Sequence, residues 1–316
     1  MLPDTPVTHL CDSYGVLLRR DAVRHGVDDV ALGRLVRRQV LVRLRHGAYC
    51  LRAVYLAADD AGRHLILVRA VMRRYDDHVA VSHGSSCVKH GGPTYGLDLS
   101  QVRVTHLAGG GRPTARLRHH VGGCRVVDLR RVDGHWATVP ARAVLEVATT
   151  DGAEAALVQA NFFLHRGDFD LATLRMFFAA QQLWPGSLRH HPVLHLADGR
   201  IESVGESRCV YAFFTQGLPA PEPQFEICGP GGVLVARVDF AWPELGVVVE
   251  FDGREKYHRF RREGETVADM VLREKAREDA IREVTGWTVI RMTWADLERP
   301  VGLSARIRAA FRTTAA

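Results

Sequence analysis

Residues 237–258, RVDFAWPELGVVVEFDGREKYH, constrain the fold more than any other stretch of the chain. Two strand-like runs, LVARVDFAW and GVVVEF, flank Pro243-Glu244-Leu245-Gly246, a connection that permits a tight antiparallel hairpin. The run Val247-Val248-Val249 reads as a buried strand, and Asp239, Glu250 and Asp252 stand around it. A hairpin with Asp239 near the end of one strand and Glu250 at the end of the next brings these carboxylates together. Two ionised carboxylates a few ångströms apart repel strongly at intermediate dielectric, so a cation is expected between them. Mg²⁺ (or Mn²⁺) suits such a place, since it takes one or two carboxylates together with waters and phosphate oxygens. The ordinary alternative is a buried strand with acidic ends, in which Asp252-Gly253 serves as a turn.

The flanking segments extend this hairpin into a larger unit over residues 196–316. IESVGESRCVYAFFTQGL predicts a helix carrying Glu202 and Glu206 on one face at i,i+4 spacing. PEPQFEI predicts a first short strand, residues 263–285 a charged helix, and GWTVIRMTWADL a last strand turning into a closing helix. The order αβββαβα on a mixed sheet is the core arrangement of many nucleases. The run R-V-D-F-x-W-P-E-x-x-x-V-V-E-F-D-G, then K-Y-H, E-K-x-R-E-D-x-I and G-W-x-V-I-R-x-T-W-x-D-L, resembles the DUF559/Vsr-like branch of the PD-(D/E)XK nucleases over roughly residues 200–300. That resemblance implies a Mg-dependent endodeoxyribonuclease. Asp239 and Glu250 would be its metal-binding carboxylates, Asp252 would fill the third metal position, and Glu206 would be the acid of the first helix. Gln224 lies where that family's first strand often carries a glutamine. One departure stands out: Asp252 occupies the place of a lysine that orients water. Either Lys256 or Lys275 takes that role, or the chemistry follows the Vsr-like variant, or the site is inactive. Arg277 and Arg291 could contact phosphate, and Arg277 could equally pair with Glu274 or Asp279 across its helix.

At the other end, residues 15–52 read GVLLRRDAVRHGVDDVALGRLVRRQVLVRLRHGAYCLR. A short helix is expected around Arg19–His25, stopped by Gly26. Asp28 or Asp29 caps a second helix with Leu32, Leu35 and Val36 on one face. VLVRLRHGAYCL alternates apolar and basic residues about His46-Gly47, as a two-stranded wing does. This window holds nine arginines against three aspartates, a net +6 that equals the charge of the whole chain. Such a winged helix-turn-helix with a pI near 9.2 favours a polyanionic partner. Gly15, Ala22, Gly26, Leu32, Leu35, Leu41, Arg43, Gly47 and Tyr49 supply a pattern that resembles the AbiEi-like antitoxin family. The resemblance implies binding of double-stranded DNA, with Arg34, Arg37 and Arg38 on or near the recognition helix and Arg43 and Arg45 on the wing. Asp28-Asp29 departs from this, since carboxylates repel phosphates. A winged helix used only for protein contacts is the alternative; the partners expected of the chain besides DNA are a toxin protein or itself as a homodimer, through the nuclease-like domain.

Residues 56–195 carry weaker signals: a helix in HLILVRAVMRRY, a strand then helix in HVAVSHGSSCVKHGG, short strands with glycine turns, and a helix opening at Pro140. Their order resembles the α+β middle segment of the same AbiEi-like family. Gly109-Gly110-Gly111-Arg112 lacks a following Gly-Lys-Ser/Thr and reads as a surface hairpin turn. In His119-His120 and His190-His191, adjacent side chains diverge, which disfavours shared metal ligation; His83 and His90 read as core or cap residues. Six scattered cysteines without a CxxC pair suit reduced thiols. No apolar run reaches 18 residues and the N-terminus has no secretory pattern, so a cytoplasmic protein with no membrane contact is expected. The chain thus reads as an α+β multidomain protein: a winged helix over 1–55, an AbiEi-like middle domain over 56–195, and a nuclease-like domain over 196–316. An antitoxin-type transcriptional repressor whose nuclease-like domain is inactive is the alternative function.

Overall fold

The computed structural model describes residues 5–107, 109–111, 114–253 and 267–314 and is a mixed α+β protein with three sheets. It divides into two compact units, one of residues 1–159 with 169–194, the other of residues 160–168 with 195–316. No helix among the described residues is long and apolar enough to cross a membrane. All six cysteines are unpaired.

In the first unit, α1 (Thr5–Thr8) and β1 (Val16–Leu18) lead into α2 (Arg19–Arg24) and α3 (Asp29–Arg37), followed by the wing strands β2 (Leu41–Arg45) and β3 (Ala48–Leu51). The strand order is β1-β3-β2, antiparallel throughout. Gly26 ends α2 at φ +79°, and Gly47 turns the wing at φ +72°, a backbone region open to glycine at little cost. Asp28 caps α3, its carboxylate accepting the Ala31 N–H at 2.8 Å in place of a missing helical partner.

Two-residue periodicity sends the side chains of this sheet to opposite faces, and both faces are covered. Leu17, Leu41 and Tyr49 pack with Ala22 and Leu32 of the helix pair. Val16, Leu18, Leu44, Ala48 and Cys50 instead pack on α5 (Asp60–Tyr75), which follows α4 (Arg52–Ala57). The same cluster continues into a second sheet through Val79, Val81, Val102, Val104 and Leu117, so the winged helix shares a core with the segment after it.

That second sheet, ordered β6-β5-β4-β8-β7, comprises β4 (Val79–Val81), β5 (Val102–His106), β6 (Leu117–Val121), β7 (Leu129–Val132) and β8 (His135–Thr138). Strands β5 and β6 pair in parallel. The Gly109–Gly111 segment between them is therefore no hairpin turn, contrary to the expectation from its glycines; Arg112 lies outside the described residues. Helices α6 (His83–Lys89), α7 (Pro140–Thr150), α8 (Ala153–Arg166), α9 (Leu171–Gln181) and α10 (His190–Leu196) follow in chain order.

The second unit follows the expected order closely. It runs α11 (Val204–Thr215), β9 (Glu222–Cys228), β10 (Leu234–Trp242), β11 (Val247–Phe251), α12 (Val267–Thr285), β12 (Thr288–Met292), the short α13 (Trp294–Leu297) and α14 (Pro300–Thr314). Gly246 closes the β10–β11 connection at φ +60°. β9, β10 and β11 are antiparallel, and β12 adds in parallel to β11, which requires a crossover connection. One cluster packs Cys209 and Phe213 of α11 and Ile307 of α14 against Phe240, Val249 and Phe251; another joins Val238, Ala241 and Val248 to Ile281 of α12. The valine run is buried on both sides.

Candidate functional site

On the winged helix, Arg34, Arg37 and Arg38 are exposed on α3 or at its C-cap. Arg43 is exposed on the wing and donates to His46 Nδ1 at 3.1 Å. The two aspartates that seemed to oppose phosphate are both engaged. Asp28 is spent on the cap, and Asp29 accepts two hydrogen bonds from Arg19 at 2.5 and 2.6 Å, which hold its carboxyl below the usual carboxylate range. Arg45 corrects the expectation for the wing. It is half-buried, its Nη1 has no hydrogen-bond partner, and burial pushes its guanidinium down, with Tyr75 and Arg74 as its electrostatic neighbours. Alternation alone would put Arg43 and Arg45 on one face of β2; a register shift between them breaks it, leaving Arg43 exposed and Arg45 half-buried.

In the second unit the strand register assembles a polar row. Phe240 pairs with Val249, so the next pair outward sets Asp239 opposite Glu250. Val238 pairs with Phe225 and Phe240 with Pro223, which sets Gln224 opposite Asp239 on the other side. Glu250 in turn pairs with Arg291. Gln224, Asp239, Glu250 and Arg291 thus form one rung across all four strands. Gln224 adopts φ +54°, a strained conformation for a non-glycine residue, and its Nε2 donates to Glu206 Oε2 at 2.9 Å. Asp239 Oδ2 accepts the Phe251 N–H at 2.7 Å.

Glu206 is buried in the first turn of α11, where Ser203 caps the helix and also donates to Glu206 Oε1 at 2.7 Å. Burial raises the Glu206 pKa, and the Asp239 charge raises it further, while Ser203, the Glu202 N–H and Gln224 oppose the shift. Burial likewise raises Glu250; Arg277 lowers it, and Asp239 and Glu274 raise it. The Asp239 charge acts on both Glu206 and Glu250, which puts the three carboxylates in one electrostatic neighbourhood.

Several expected members are placed differently. Glu202 precedes α11 and does not share its face with Glu206; its N–H donates to Glu206 Oε2 at 3.0 Å and its carboxylate pairs with Arg237 at 2.9 Å. Lys275 is exposed on α12, without a hydrogen bond or ion pair to a described residue. Among the described residues, the cation in contact with Glu250 is Arg277, whose Nη1 lies 2.6 Å from Glu250 Oε1 and whose Nη2 donates to the Arg237 carbonyl at 2.7 Å. Two helical positions differ by about 200°, so Lys275 and Arg277 face opposite ways. Lys256 lies outside the described residues. Asp252 follows β11, with its N–H bonded to the Met292 carbonyl at 2.7 Å. Among the described residues, no three His, Cys, Asp or Glu side chains are grouped to hold a metal ion, so Asp239, Glu250 and Asp252 do not form the expected three-ligand set.

A histidine cluster in the first unit went unread in the sequence. His83, at φ +55°, stacks on His120 with ring centroids 3.7 Å apart, and burial pushes both down to about 3. His119 turns the other way, its Nδ1 2.7 Å from His106 Nε2. The strand β6 separates the adjacent pair, as alternation requires, but parallel pairing with β5 supplies a partner no local spacing showed.

Residues 8–52 match the family model described as transcriptional regulator, AbiEi antitoxin. Over 230 residues the chain is 33% identical to the uncharacterized protein Rv2248 of Mycobacterium tuberculosis, covering 71% of this chain and 80% of that protein. The chain belongs to the Rv2248 family. The uncharacterized protein MT2308, from a second strain of that species, matches with the same identity and coverage. In this Rv2248-family chain, the AbiEi-type segment spans β1 through β3, the elements that present the α3 and wing arginines. The likeness to the AbiEi regulators is confined to this N-terminal segment.

Proposed function

We propose that this Rv2248-family protein is a transcriptional regulator of the AbiEi type that docks on duplex DNA, with α3 in the major groove and Arg43 of the wing on the backbone. The observation that carries this reading is the row Arg34, Arg37 and Arg38, exposed while both acidic residues at the start of α3 are engaged within the protein. Guanidinium groups on such a helix pair with phosphates and with guanine edges. A gel-shift titration against the DNA upstream of its own gene tests it. Wild type binds in a salt-sensitive manner, and Arg34→Ala with Arg37→Ala weakens binding and lowers the salt slope by about 2. No shift at moderate salt with wild type would overturn it. A toxin protein as second partner belongs to the same reading.

A second reading is a nuclease activity of the PD-(D/E)XK type in the second unit, favoured by the rung of Asp239 and Glu250 beside Glu206. The donor set is all oxygen, and the burial of carboxylates against one another fits a hard divalent cation. Asp239 and Glu250 would hold Mg²⁺ or Mn²⁺, with Glu206 and Asp252 positioning water. Such an ion polarises a phosphate and lowers the pKa of water. Arg277 counts the other way, since its guanidinium already neutralises Glu250. Cleavage of supercoiled DNA by the full chain with Mg²⁺ or Mn²⁺, compared with Asp239→Ala and Glu250→Ala, decides. Equal behaviour of all three leaves a regulator whose second unit serves assembly.

A further inference from the structure

Between the wing, the start of α2 and the end of α5 lies a cleft of about 280 Å³ lined by Arg19, Arg20, Arg45, His46 and Arg74 over a floor of Leu18, Ala48 and Ala70. No carboxylate of a described residue lines it. The four guanidiniums are unequally compensated. Arg19 is bound to Asp29 on an exposed flank. Arg20 donates to the Arg73 carbonyl and stands 3.7 Å from Asp21. Among the described residues, Arg45 and Arg74 make no ion pair and the buried Arg45 Nη1 has no hydrogen-bond partner. Burial disfavours the Arg45 charge, Tyr75 favours it, and the neighbouring Arg74 disfavours it. Gathering like charges around one concavity, one of them half-buried, is unfavourable until an anion enters.

We propose that this cleft is a phosphate seat, in which Arg45 and Arg74 hold a phosphate group from two sides while Arg20 and His46 close its rim. A phosphate matches guanidinium forks in geometry and offers several acceptor oxygens at once. A 280 Å³ cleft is larger than a carboxylate needs and admits the phosphate with part of its ester. The group comes either from a DNA backbone, in which case the seat rests on the DNA-docking reading and anchors the wing side of the duplex, or from a free phosphorylated ligand. Arg34, Arg37, Arg38 and Arg43 do not line the cleft, although Arg43 donates to the rim residue His46; the loss of Arg74 is therefore separable from changes on α3.

The test uses the full chain with inorganic phosphate and with duplex DNA as probes. Arg74→Gln is the main variant because Arg74 is exposed and its change leaves the core intact; Arg45→Gln, checked for folding by circular dichroism, is the second. Inorganic phosphate is expected to raise the Tm of wild type above that in sodium chloride of equal ionic strength, and the rise disappears in Arg74→Gln. Duplex affinity is expected to fall on the order of tenfold in Arg74→Gln, with the salt slope reduced by about 1. Phosphate protection that depends on Arg74, with duplex affinity unchanged, supports the seat and assigns it to a free ligand. Phosphate protection in a wild type that binds no DNA sinks the DNA-docking reading and leaves the seat standing. Tm response and duplex affinity both unmoved by Arg74→Gln and Arg45→Gln overturn the seat, whatever α3 does.

Discussion

Arg142 is a guanidinium with almost no solvent contact, held between Asp128 at 2.7 Å and Glu146 at 2.8 Å, with the Gly123 carbonyl at 3.0 Å. Its helical neighbour Glu146 also accepts the His83 N–H at 2.9 Å, so one side chain ties α7 to the strained start of α6. Removing one partner of a buried ion network leaves uncompensated charge, which costs more than the network itself contributes. Arg142→Met should therefore destabilise the first unit by about 3–5 kcal/mol, read from urea unfolding; a loss below about 1 kcal/mol would contradict the buried triad. Nothing local in PARAVLEVATT announces this role. The i,i+4 pair Arg142/Glu146 is visible in the sequence, but the same spacing on most helices is a solvated surface pair. Only the approach of Asp128, at the end of the 3₁₀ turn before β7, makes it a core network. Arg277 teaches the same lesson. Its pairing with Glu274 was an obvious helical option, yet the short contact goes to Glu250 on a strand 27 positions earlier in the chain, as the numbering shows.

Elements meet where their surfaces allow it, and Gly205 is the tightest such place in the second unit. A Cβ there would sit 2.0 Å from Phe251 Cε1, so α11 rests directly on the ring that ends β11. Gly205→Ala must push the helix off the strand or turn the ring. An overpacking loss of about 1–3 kcal/mol is expected, together with displacement of Glu206 one residue on. The loss should appear in the unfolding of the full chain, and a variant as stable as wild type would show that the contact is loose. On the first unit, Asp28→Ala removes the α3 cap and should cost about 1 kcal/mol. Element boundaries were readable where periodicity and caps agreed, as in α3, the wing, and the β10–β11 hairpin. They failed where a competing cap or a long-range partner set the conformation. Glu202 fell outside its helix because Ser203 is the better cap, and the glycine-rich segment after β5 joins parallel strands instead of forming a hairpin.

For the whole molecule, acid should act through the first unit. His83 and His120 stack in the interior and are pushed down to about 3, below the ordinary 6.5, because burial disfavours their charged forms. A folded-state pKa below the unfolded value means the unfolded chain binds more protons in between. Stability is then fully present above about pH 6.5 and is lost as pH falls toward 3, by up to about 1.4 kcal/mol per pH unit for each histidine. Denaturant unfolding at pH 7 and pH 5 measures this, and His120→Gln should flatten the dependence. A pH-independent midpoint would refute the buried-neutral assignment. The amino-acid sequence alone determined the local periodicities, the cap at Asp28, the concentration of arginine in the winged helix and the order of elements after residue 196. Those properties depend on neighbours a few positions apart and on composition. Tertiary structure decided which charges face each other: Arg45 turned inward, Arg277 on Glu250, Gln224, Asp239 and Glu250 in one rung, and the histidines stacked across two elements. Coulomb and hydrogen-bond energies act at ångström separations, and only the folding of distant segments onto one another sets those separations.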